Sequence, residues 1–363
     1  MSLPLPLQEH VPLAPLTTLG LGGAARWFAR ATSIDAARDA VAWAASQRLP
    51  LFVLGGGSNL VVSDAGWPGL VLHVAIAGLR TEQDRNDTLL TAAAGERWDD
   101  VVARAVADNL AGIECLSGIP GTVGGTPVQN VGAYGQEVAD TIVDVTVLDR
   151  HDGTVSHTAN RDCGFSYRMS RFKAADADRF VVCGVTYRLR QDAPTVAYPD
   201  VIAFMKERAI MSPGVRDVRE AVMAIRKRKG MVLDGADPDT RSVGSFFMNP
   251  IVPRAVHNAL CETEKVAVPS FRVDVDAVKI PAAWLIEHAG FSRGFTDGPV
   301  GLSTKHPLAL VNRGGASAAD LIALALRIKR QVADRFGILL RTEPVFVGFA
   351  GNADVEYLSR AGA

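Results

Sequence analysis

Three glycine-rich segments of this 363-residue chain could bring backbone amides close to a bound phosphate or ring. Glycine allows that approach because it lacks a Cβ and tolerates positive φ. The first segment, Gly20 to Ala25, matches the dinucleotide pattern GxGxxG/A. It lacks the context of that pattern, because Pro12 and Pro15 replace the preceding strand and Ala45 stands where an acidic residue is required. We therefore predict no Rossmann turn there.

The second segment is GGGSNL at 55–60, and it follows a short apolar run at 51–54. Consecutive glycine amides can turn inward as a nest for an anion, and Ser58 and Asn59 add side-chain donors. The same residues also suit an ordinary turn between two strands. From the residues alone, both interpretations stay open.

The third segment, Gly118 to Gly135, reads GIPGTVGGTPVQNVGAYG. Its glycines and prolines exclude regular structure, while Gln129, Asn130 and Tyr134 contribute amide and phenol groups that can form hydrogen bonds. Long loops of this kind are uncommon unless they have a function. We predict that this loop lies against a flat polar ligand, such as a diphosphate or a flavin ring.

The elements that must position these loops are short strands and helices. Hydrophobic patterning predicts strands at 51–54, 59–63, 70–76, 89–94, 142–148 and 180–189, the last two as an antiparallel pair. Capping residues and periodicity predict helices at 33–48, 98–110, 215–229, 281–289 and 317–336, with a final strand over 338–349. The proline-rich stretch between about 190 and 215 indicates a linker or an ordered excursion.

Composition excludes several classes of function. The 38 basic and 39 acidic residues nearly balance, which argues against nucleic-acid and membrane-surface binding. Four dispersed cysteines indicate reduced thiols, and the histidines show no metal-ligand spacing. A GxSxG nucleophile elbow is absent from the sequence. From the residues near its start and from its apolar runs we expect neither a signal peptide nor a segment that spans a bilayer. We expect a soluble, cytoplasmic protein without a metal.

The second and third glycine segments together resemble the FAD-binding domain of the UDP-N-acetylenolpyruvoylglucosamine reductase family. The resemblance covers about 15–349, and it implies an α+β fold. A vanillyl-alcohol-oxidase (PCMH) type FAD-binding domain would be followed by a C-terminal α+β substrate-binding domain. In family order, the remaining matching motifs are CGFSYR at 163–168, GSFFMNP at 244–250, AAWLI at 282–286 and EPVF at 343–346.

The resemblance also implies the activity. An enzyme of this family would use FAD and NADPH to reduce UDP-N-acetylglucosamine enolpyruvate to UDP-N-acetylmuramate in peptidoglycan synthesis. Its partners would be NADPH and the sugar-nucleotide substrate, and we expect the protein to be a monomer. The implied domain limits are 1–191 for the FAD-binding domain, 192–216 for a linker with a substrate-covering tyrosine, 217–349 for the substrate domain and 350–363 for a tail.

Individual residues acquire roles from the same resemblance. Arg168 would be the cationic group of the reaction, Ser245 the proton donor and Glu343 the acidic group. The residues implied to contact the substrate are Tyr198, Lys229, Asn249 and His288. The residues implied to bind FAD are Gly55, Gly56, Gly57, Ser58, Asn59, Leu60, Gly118, Ile119, Pro120, Gly121, Gly124, Gly125, Gln129, Asn130, Gly132, Ala133 and Tyr134.

The proposed chemistry suits these residue types. Adding hydride to an enolpyruvyl ether leaves a carbanion conjugated to a carboxylate, which needs a cation and a well-placed acid. Arg168 can bind the carboxylate through two parallel hydrogen bonds, which a lysine cannot match. Glu343 fits beside an anion if it is protonated or if it orients Arg168. Without the resemblance, a surface pair with Arg341 would be the better interpretation of Glu343.

Other interpretations stay open. The chain could be an alcohol or sugar oxidase or dehydrogenase of the same flavin-domain superfamily, or a flavin-carrying binding protein without turnover. The basic run at 226–229 suits a solvated helix end, although Lys229 could contact a diphosphate. Thr17, Met248 and His288 depart from residues frequent in the family, and the last two leave details of the diphosphate contact open.

Overall fold

A computed structural model describes residues 6–360 of the chain, which divide into two compact units. Unit 1 contains the residues up to Val11, Ala25–Gly57 and Trp67–Val232, and unit 2 contains Pro12–Ala24, Ser58–Gly66 and the chain from Leu233 onward. The segment at 192–232 therefore packs with unit 1, whereas the domain limits given above remain a prediction. None of the helices within 6–360 has the length and hydropathy required to cross a membrane.

The described residues form strands and α-helices that are numbered here in chain order. The strands are β1 (Leu7–Pro12), β2 (Ala24–Ala31), β3 (Leu51–Leu54), β4 (Leu60–Val62), β5 (Trp67–Val74), β6 (Leu79–Asp84), β7 (Asp87–Ala93), β8 (Gly132–Ala133), β9 (Gln136–Glu137), β10 (Ile142–Asp149), β11 (Val155–Ala159), β12 (Phe180–Arg190), β13 (Ile251–Pro253), β14 (Phe271–Arg272), β15 (Ala277–Lys279), β16 (Thr296–Asp297), β17 (Val300–Leu302), β18 (Leu310–Asn312) and β19 (Val345–Val347). The helices are α1 (Ile34–Ser46), α2 (Trp98–Ala107), α3 (Pro199–Glu207), α4 (Val215–Arg228), α5 (Arg254–Glu264), α6 (Ala282–His288), α7 (Ala318–Phe336) and α8 (Ala353–Ser359).

Unit 1 contains two sheets. One has the order β1-β2-β5-β3, in which β5 runs parallel to both β2 and β3. The other has the order β11-β10-β12-β7-β6, and β10 pairs with β12 antiparallel, as predicted. Strand β12 lies in the centre of its sheet, and its consecutive residues from Val181 to Tyr187 are buried, so both of its faces are covered by protein. The Tyr187 hydroxyl on β12 is 2.7 Å from Thr126 Oγ1, so this strand also contacts the third glycine segment.

The capping residues identified in the sequence act as expected. Ser33 Oγ accepts a hydrogen bond from the Ala36 amide at the start of α1. Ser317 and Asp320 form a reciprocal capping box at the start of α7, and Gly337 ends that helix with a φ of 65°. The core of unit 2 packs around the buried face of α7.

The end of unit 2 differs from the predicted strand over 338–349. Only Val345–Val347 forms a strand, β19, because its parallel partner β4 is itself three residues long. Helix α8 follows this strand. Lys329 of α7 donates hydrogen bonds of 2.7–2.9 Å to three carbonyls at the C-terminal end of α8, those of Tyr357, Leu358 and Arg360. These bonds satisfy carbonyl groups that a helix end leaves without partners.

Candidate active site

Residues 55–57 of the second glycine segment meet the third glycine segment within unit 1. Strand β3 ends at Leu54, and the chain turns through Gly57 with a φ of 63°. A Cβ on Gly56 would lie 2.5 Å from Gly121 Cα, so the two loops touch backbone to backbone. A Cβ on Gly55 would lie 2.9 Å from Thr122 Oγ1. The two segments therefore form one surface rather than two separate turns.

This surface has the donors that an anionic cofactor requires. Thr122 Oγ1 is buried and has no hydrogen-bond partner among the described residues. A buried hydroxyl in that state is costly unless a ligand or water satisfies it. The loop at 118–135 contains no carboxylate, and a Cβ on Gly125 would enter open space. A buried hydroxyl without a partner and a glycine that faces open space fit the polar groups and the flat ring of a dinucleotide such as FAD.

A carboxylate holds the start of the third segment. Asp99 Oδ1 accepts a 2.7 Å hydrogen bond from the Gly118 amide, where φ is 71°. Arg219 of α4 binds both carboxylate oxygens of Asp99, at 2.7 and 3.0 Å. Burial alone would raise the pKa of Asp99, but Arg219 and the Gly118 amide hold it below its ordinary value. Helices α2 and α4 therefore fix the position where the loop begins.

The middle of the loop is held by Asn130. Its side-chain amide donates to Glu137 Oε2 at 2.8 Å and to the Ser166 carbonyl at 3.0 Å, and its Oδ1 accepts from the Ala139 amide at 3.2 Å. The residue is 1% exposed and has a φ of 44°. The Asn130 side chain therefore shapes the loop, and its hydrogen-bonding capacity is used within the protein.

Arg168 contacts the end of the same loop. Its backbone has a φ of 56°, in a turn between Ser166 and Met169, and its Nη2 donates to the Gly132 carbonyl at 2.6 Å. A Cβ on Gly132 would lie 2.7 Å from Glu137 Cγ, 3.0 Å from the Gln136 carbonyl oxygen and 3.1 Å from Arg168 Nη1, so this part of the loop is closely packed. The structure thus places the predicted cationic residue beside the predicted cofactor loop.

A further cluster in unit 1 combines two tyrosines with three charged side chains. Its members are Tyr134, Tyr198, Asp200, Arg226 and Lys229. The Tyr134 and Tyr198 rings meet edge to face with their centroids 5.2 Å apart. Lys229 Nζ lies 2.7 Å from Asp200 Oδ2. Burial raises the pKa of Tyr134, although the cations Arg226 and Lys229 act in the opposite direction. Two predicted substrate contacts, Tyr198 and Lys229, therefore flank one predicted cofactor contact.

Unit 2 brings Ser245, Glu343 and Asn59 together. The Glu343 amide donates to the Phe246 carbonyl at 2.9 Å, which places the backbone segments of Ser245 and Glu343 side by side. Asn59 Nδ2 donates to the Glu343 carbonyl at 3.3 Å. Phe246 and Phe247 are buried and anchor the turn that presents the half-buried Ser245. The predicted proton donor, Ser245, and the predicted acidic residue, Glu343, thus lie on adjacent segments.

The other two predicted substrate contacts lie at opposite ends of α6. Asn249 Oδ1 accepts from the Ala282 amide at 2.9 Å, at the start of the helix. The His288 ring stacks on Trp284 with centroids 3.9 Å apart, and its Nδ1 lies 2.9 Å from the Trp284 carbonyl. A rise of about 1.5 Å per residue puts Ala282 and His288 about 9 Å apart. Asn249 and His288 therefore do not form a single contact point for a ligand.

Comparison with known proteins decides the family. A model described as an FAD binding domain matches residues 25–159, and one described as the C-terminal domain of UDP-N-acetylenolpyruvoylglucosamine reductase matches 237–347. A protein of that name from Thermobifida fusca is 47% identical over 351 residues, or 94% of this chain and 98% of the relative. The chain belongs to the UDP-N-acetylenolpyruvoylglucosamine reductase family.

Further relatives agree with the assignment to this reductase family. A reductase of the same name from Streptomyces coelicolor is 46% identical over 95% of this chain and 92% of its own length. The solved structure of a family member from Thermus caldophilus aligns with a TM-score of 0.64 and 26% identity, over 94% of this chain and 99% of that one. The α+β fold and the FAD-binding domain predicted from the sequence are confirmed.

Sequence reasoning missed several residues that shape the site of this family member. Asp99 binds the Gly118 amide and is held by Arg219, and Thr122 lies within the third glycine segment. Arg226 faces Tyr134 of the same segment, and Asp200 pairs with Lys229. Helical spacing gave a partial signal, because Arg219 and Arg226 lie seven residues apart and Lys229 three further, which places them on one side of α4. No group of three or more potential metal ligands occurs within residues 6–360.

Proposed function

We propose that this protein reduces UDP-N-acetylglucosamine enolpyruvate to UDP-N-acetylmuramate, with NADPH as the reductant and FAD as the cofactor. The observation that carries the proposal is the near-full-length match to a curated reductase of that name, at 47% identity. We further propose that it acts as a cytoplasmic monomer in peptidoglycan synthesis, and so contributes to cell shape and division.

In this proposal the two glycine loops of unit 1 hold FAD. Gly55 to Gly57 would supply backbone amides, the loop at 118–135 would supply an open glycine surface at Gly125, and Thr122 would supply its hydroxyl. When bound, the cofactor would carry hydride from NADPH to the enolpyruvyl group. Asp99 and Arg219 keep the start of the loop in place for this role.

The chain's own residues would manage charge and protons. Arg168 would bind the substrate carboxylate, since a guanidinium has enough N–H donors to hold the loop and a ligand together. Ser245 Oγ would deliver a proton to the carbanion carbon, for which a hydroxyl is strong enough only because the carbanion is strongly basic. Glu343, on the segment beside Ser245, would orient or stabilise the reacting group. Lys229 would contact the diphosphate.

A two-step spectroscopic assay tests this proposal. The purified protein should be yellow, NADPH should bleach it without oxygen, and the enolpyruvyl substrate should restore the colour. Mass spectrometry should then detect UDP-N-acetylmuramate at one equivalent per NADPH consumed. Bleaching without product formation would contradict the reductase. Peroxide production from an alcohol or sugar would instead indicate an oxidase of the same superfamily.

A further inference from the structure

Lys229, which the proposed function assigns to the substrate diphosphate, already forms an ion pair with Asp200 in this structure. Lys229 Nζ lies 2.7 Å from Asp200 Oδ2, and the two side chains are 34% and 40% exposed. Asp200 is in the first turn of α3, directly after Tyr198 and Pro199, and Lys229 ends α4. A carboxylate of this chain therefore stands where a diphosphate would otherwise meet the lysine.

The pair belongs to a small charged cluster that includes both tyrosines. Tyr198 precedes α3 and packs its ring on Tyr134 of the cofactor loop. Arg226 of α4 is 6% exposed, donates to the Met231 carbonyl at 2.8 Å, and also faces the Tyr134 hydroxyl. Two cations and one carboxylate thus act on Tyr134, and the carboxylate is on the same turn as Tyr198.

We propose that Asp200 sets the affinity of this site for nucleotide diphosphates by competing with them for Lys229. This inference rests on the proposed function, which places Lys229 at the diphosphate. A diphosphate carries more negative charge than a carboxylate and can take the lysine from Asp200. The exchange removes one of the contacts that hold the beginning of α3, the segment that carries Tyr198. Both nucleotides of the proposed reaction carry a diphosphate, so each would make the same exchange.

The size of the effect follows from the exposure of the pair. Partly exposed ion pairs contribute little, and losing one corresponds to a change of about two- to fivefold in an equilibrium constant. Removing the Asp200 charge should therefore tighten diphosphate binding by about that factor. If Asp200 had only a structural role, its substitution would leave the affinity for the diphosphate unchanged or weaken it.

The test measures UDP binding to the FAD-loaded protein by isothermal titration calorimetry. Asp200→Asn should lower the Kd for UDP about two- to fivefold, and Asp200→Ser, which also suits a helix start, should do the same. Lys229→Met should raise the Kd. In the Lys229→Met background, Asp200→Asn should give no gain, because the competition no longer exists. Uridine, which lacks phosphate, should bind equally to all variants.

A matched control is available on the same two helices. Arg208, which ends α3, pairs with Glu220 of α4, and both side chains are exposed. Glu220→Gln removes the same charge and another α3–α4 ion pair without touching Lys229. It should leave the Kd for UDP unchanged.

Three results would overturn the proposal: no tightening by Asp200→Asn or Asp200→Ser, equal tightening by Glu220→Gln, or persistent tightening in the Lys229→Met background. Absence of UDP binding to the wild-type protein would overturn it as well. The proposed function is judged separately, by formation of UDP-N-acetylmuramate, so its failure is distinguishable from failure of the competition.

Discussion

At the scale of single residues, Ser245 allows the sharpest test of the proposed chemistry. Buried Phe246 and Phe247 fix its turn, and the Phe246 carbonyl binds the Glu343 amide, so removing the hydroxyl should leave the local backbone intact. We expect Ser245→Ala to react with NADPH at nearly the wild-type rate. Its reaction with the enolpyruvyl substrate should slow by about 10²–10⁴-fold, the usual cost of losing a positioned acid. Stopped-flow flavin absorbance measures each half-reaction.

The cysteine variant provides the control at this position. A thiol can also deliver a proton, so Ser245→Cys should recover part of the lost rate. Equal slowing of both half-reactions would indicate a misplaced cofactor rather than a missing acid. An unchanged second half-reaction would remove Ser245 from the mechanism.

At the scale of elements, Gly124 and Gly125 of the loop at 118–135 are neighbours in the chain but have different surroundings. A Cβ on Gly124 would lie 2.8 Å from Ala94 Cβ, whereas a Cβ on Gly125 would meet nothing within 4 Å. We expect Gly125→Val to lose flavin while the apoprotein keeps its Tm, because only the ligand would be displaced. Gly124→Val should lower the apoprotein Tm as well. Flavin absorbance and thermal unfolding of apoprotein measure the difference. Full flavin content in Gly125→Val would refute the loop assignment.

The brace formed by Asp99 and Arg219 gives a second prediction at this scale. The pKa of Asp99 is lower in the folded protein than in the unfolded chain. The ionised Asp99 therefore contributes to folding stability above its unfolded pKa, and this contribution is lost as pH falls through the folded pKa. Asp99→Asn should therefore weaken FAD binding near neutral pH, by about 1–3 kcal/mol for a lost charged hydrogen bond. Flavin fluorescence measures the Kd for FAD.

Asp100 supplies the control for Asp99. It pairs with Arg97 at 3.5 Å, and both side chains are largely exposed. Asp100→Asn should leave the Kd for FAD unchanged. If both variants weaken FAD binding equally, the loss reflects charge on α2 rather than the contact with Gly118.

At the scale of the whole molecule, the C-terminal helix depends on one buried cation. Lys329 is 0% exposed and donates to three carbonyls at the end of α8. Lys329→Met should destabilise unit 2 by about 3 kcal/mol, because these carbonyls would lose their donor. Hydrogen exchange should accelerate over 353–360, with unit 1 as the internal reference. Unchanged exchange there would show that α8 is held by its apolar contacts alone.

The pH dependence of the same lysine has a defined sign. Burial lowers the pKa of Lys329 to about 8 from an ordinary value of 10.5. The unfolded chain then binds more protons between these two values, so stability of the wild type should rise with pH in this window relative to Lys329→Met. Urea unfolding at several pH values measures the difference, and a constant difference would contradict the shifted pKa.

The sequence by itself determined the features that depend on neighbouring residues. Ser33, Ser317 and Gly337 begin or end helices through groups within four positions, so their roles were visible in the spacing. The glycine segments were identified as loops for the same reason, and their combination with the later motifs identified the family. The extent of the last strand was missed because it depends on its partner β4, far away in the chain.

Only the tertiary structure decided which of these features meet. The contact of Gly56 with Gly121 joins two loops, and Arg219 reaches Asp99 across 120 positions. Asn130, which the sequence marked as a ligand donor, has its side chain satisfied by residues 137, 139 and 166. Local periodicity carries no record of such pairings, because hydrogen bonds and close packing between distant segments depend on the folded path of the chain.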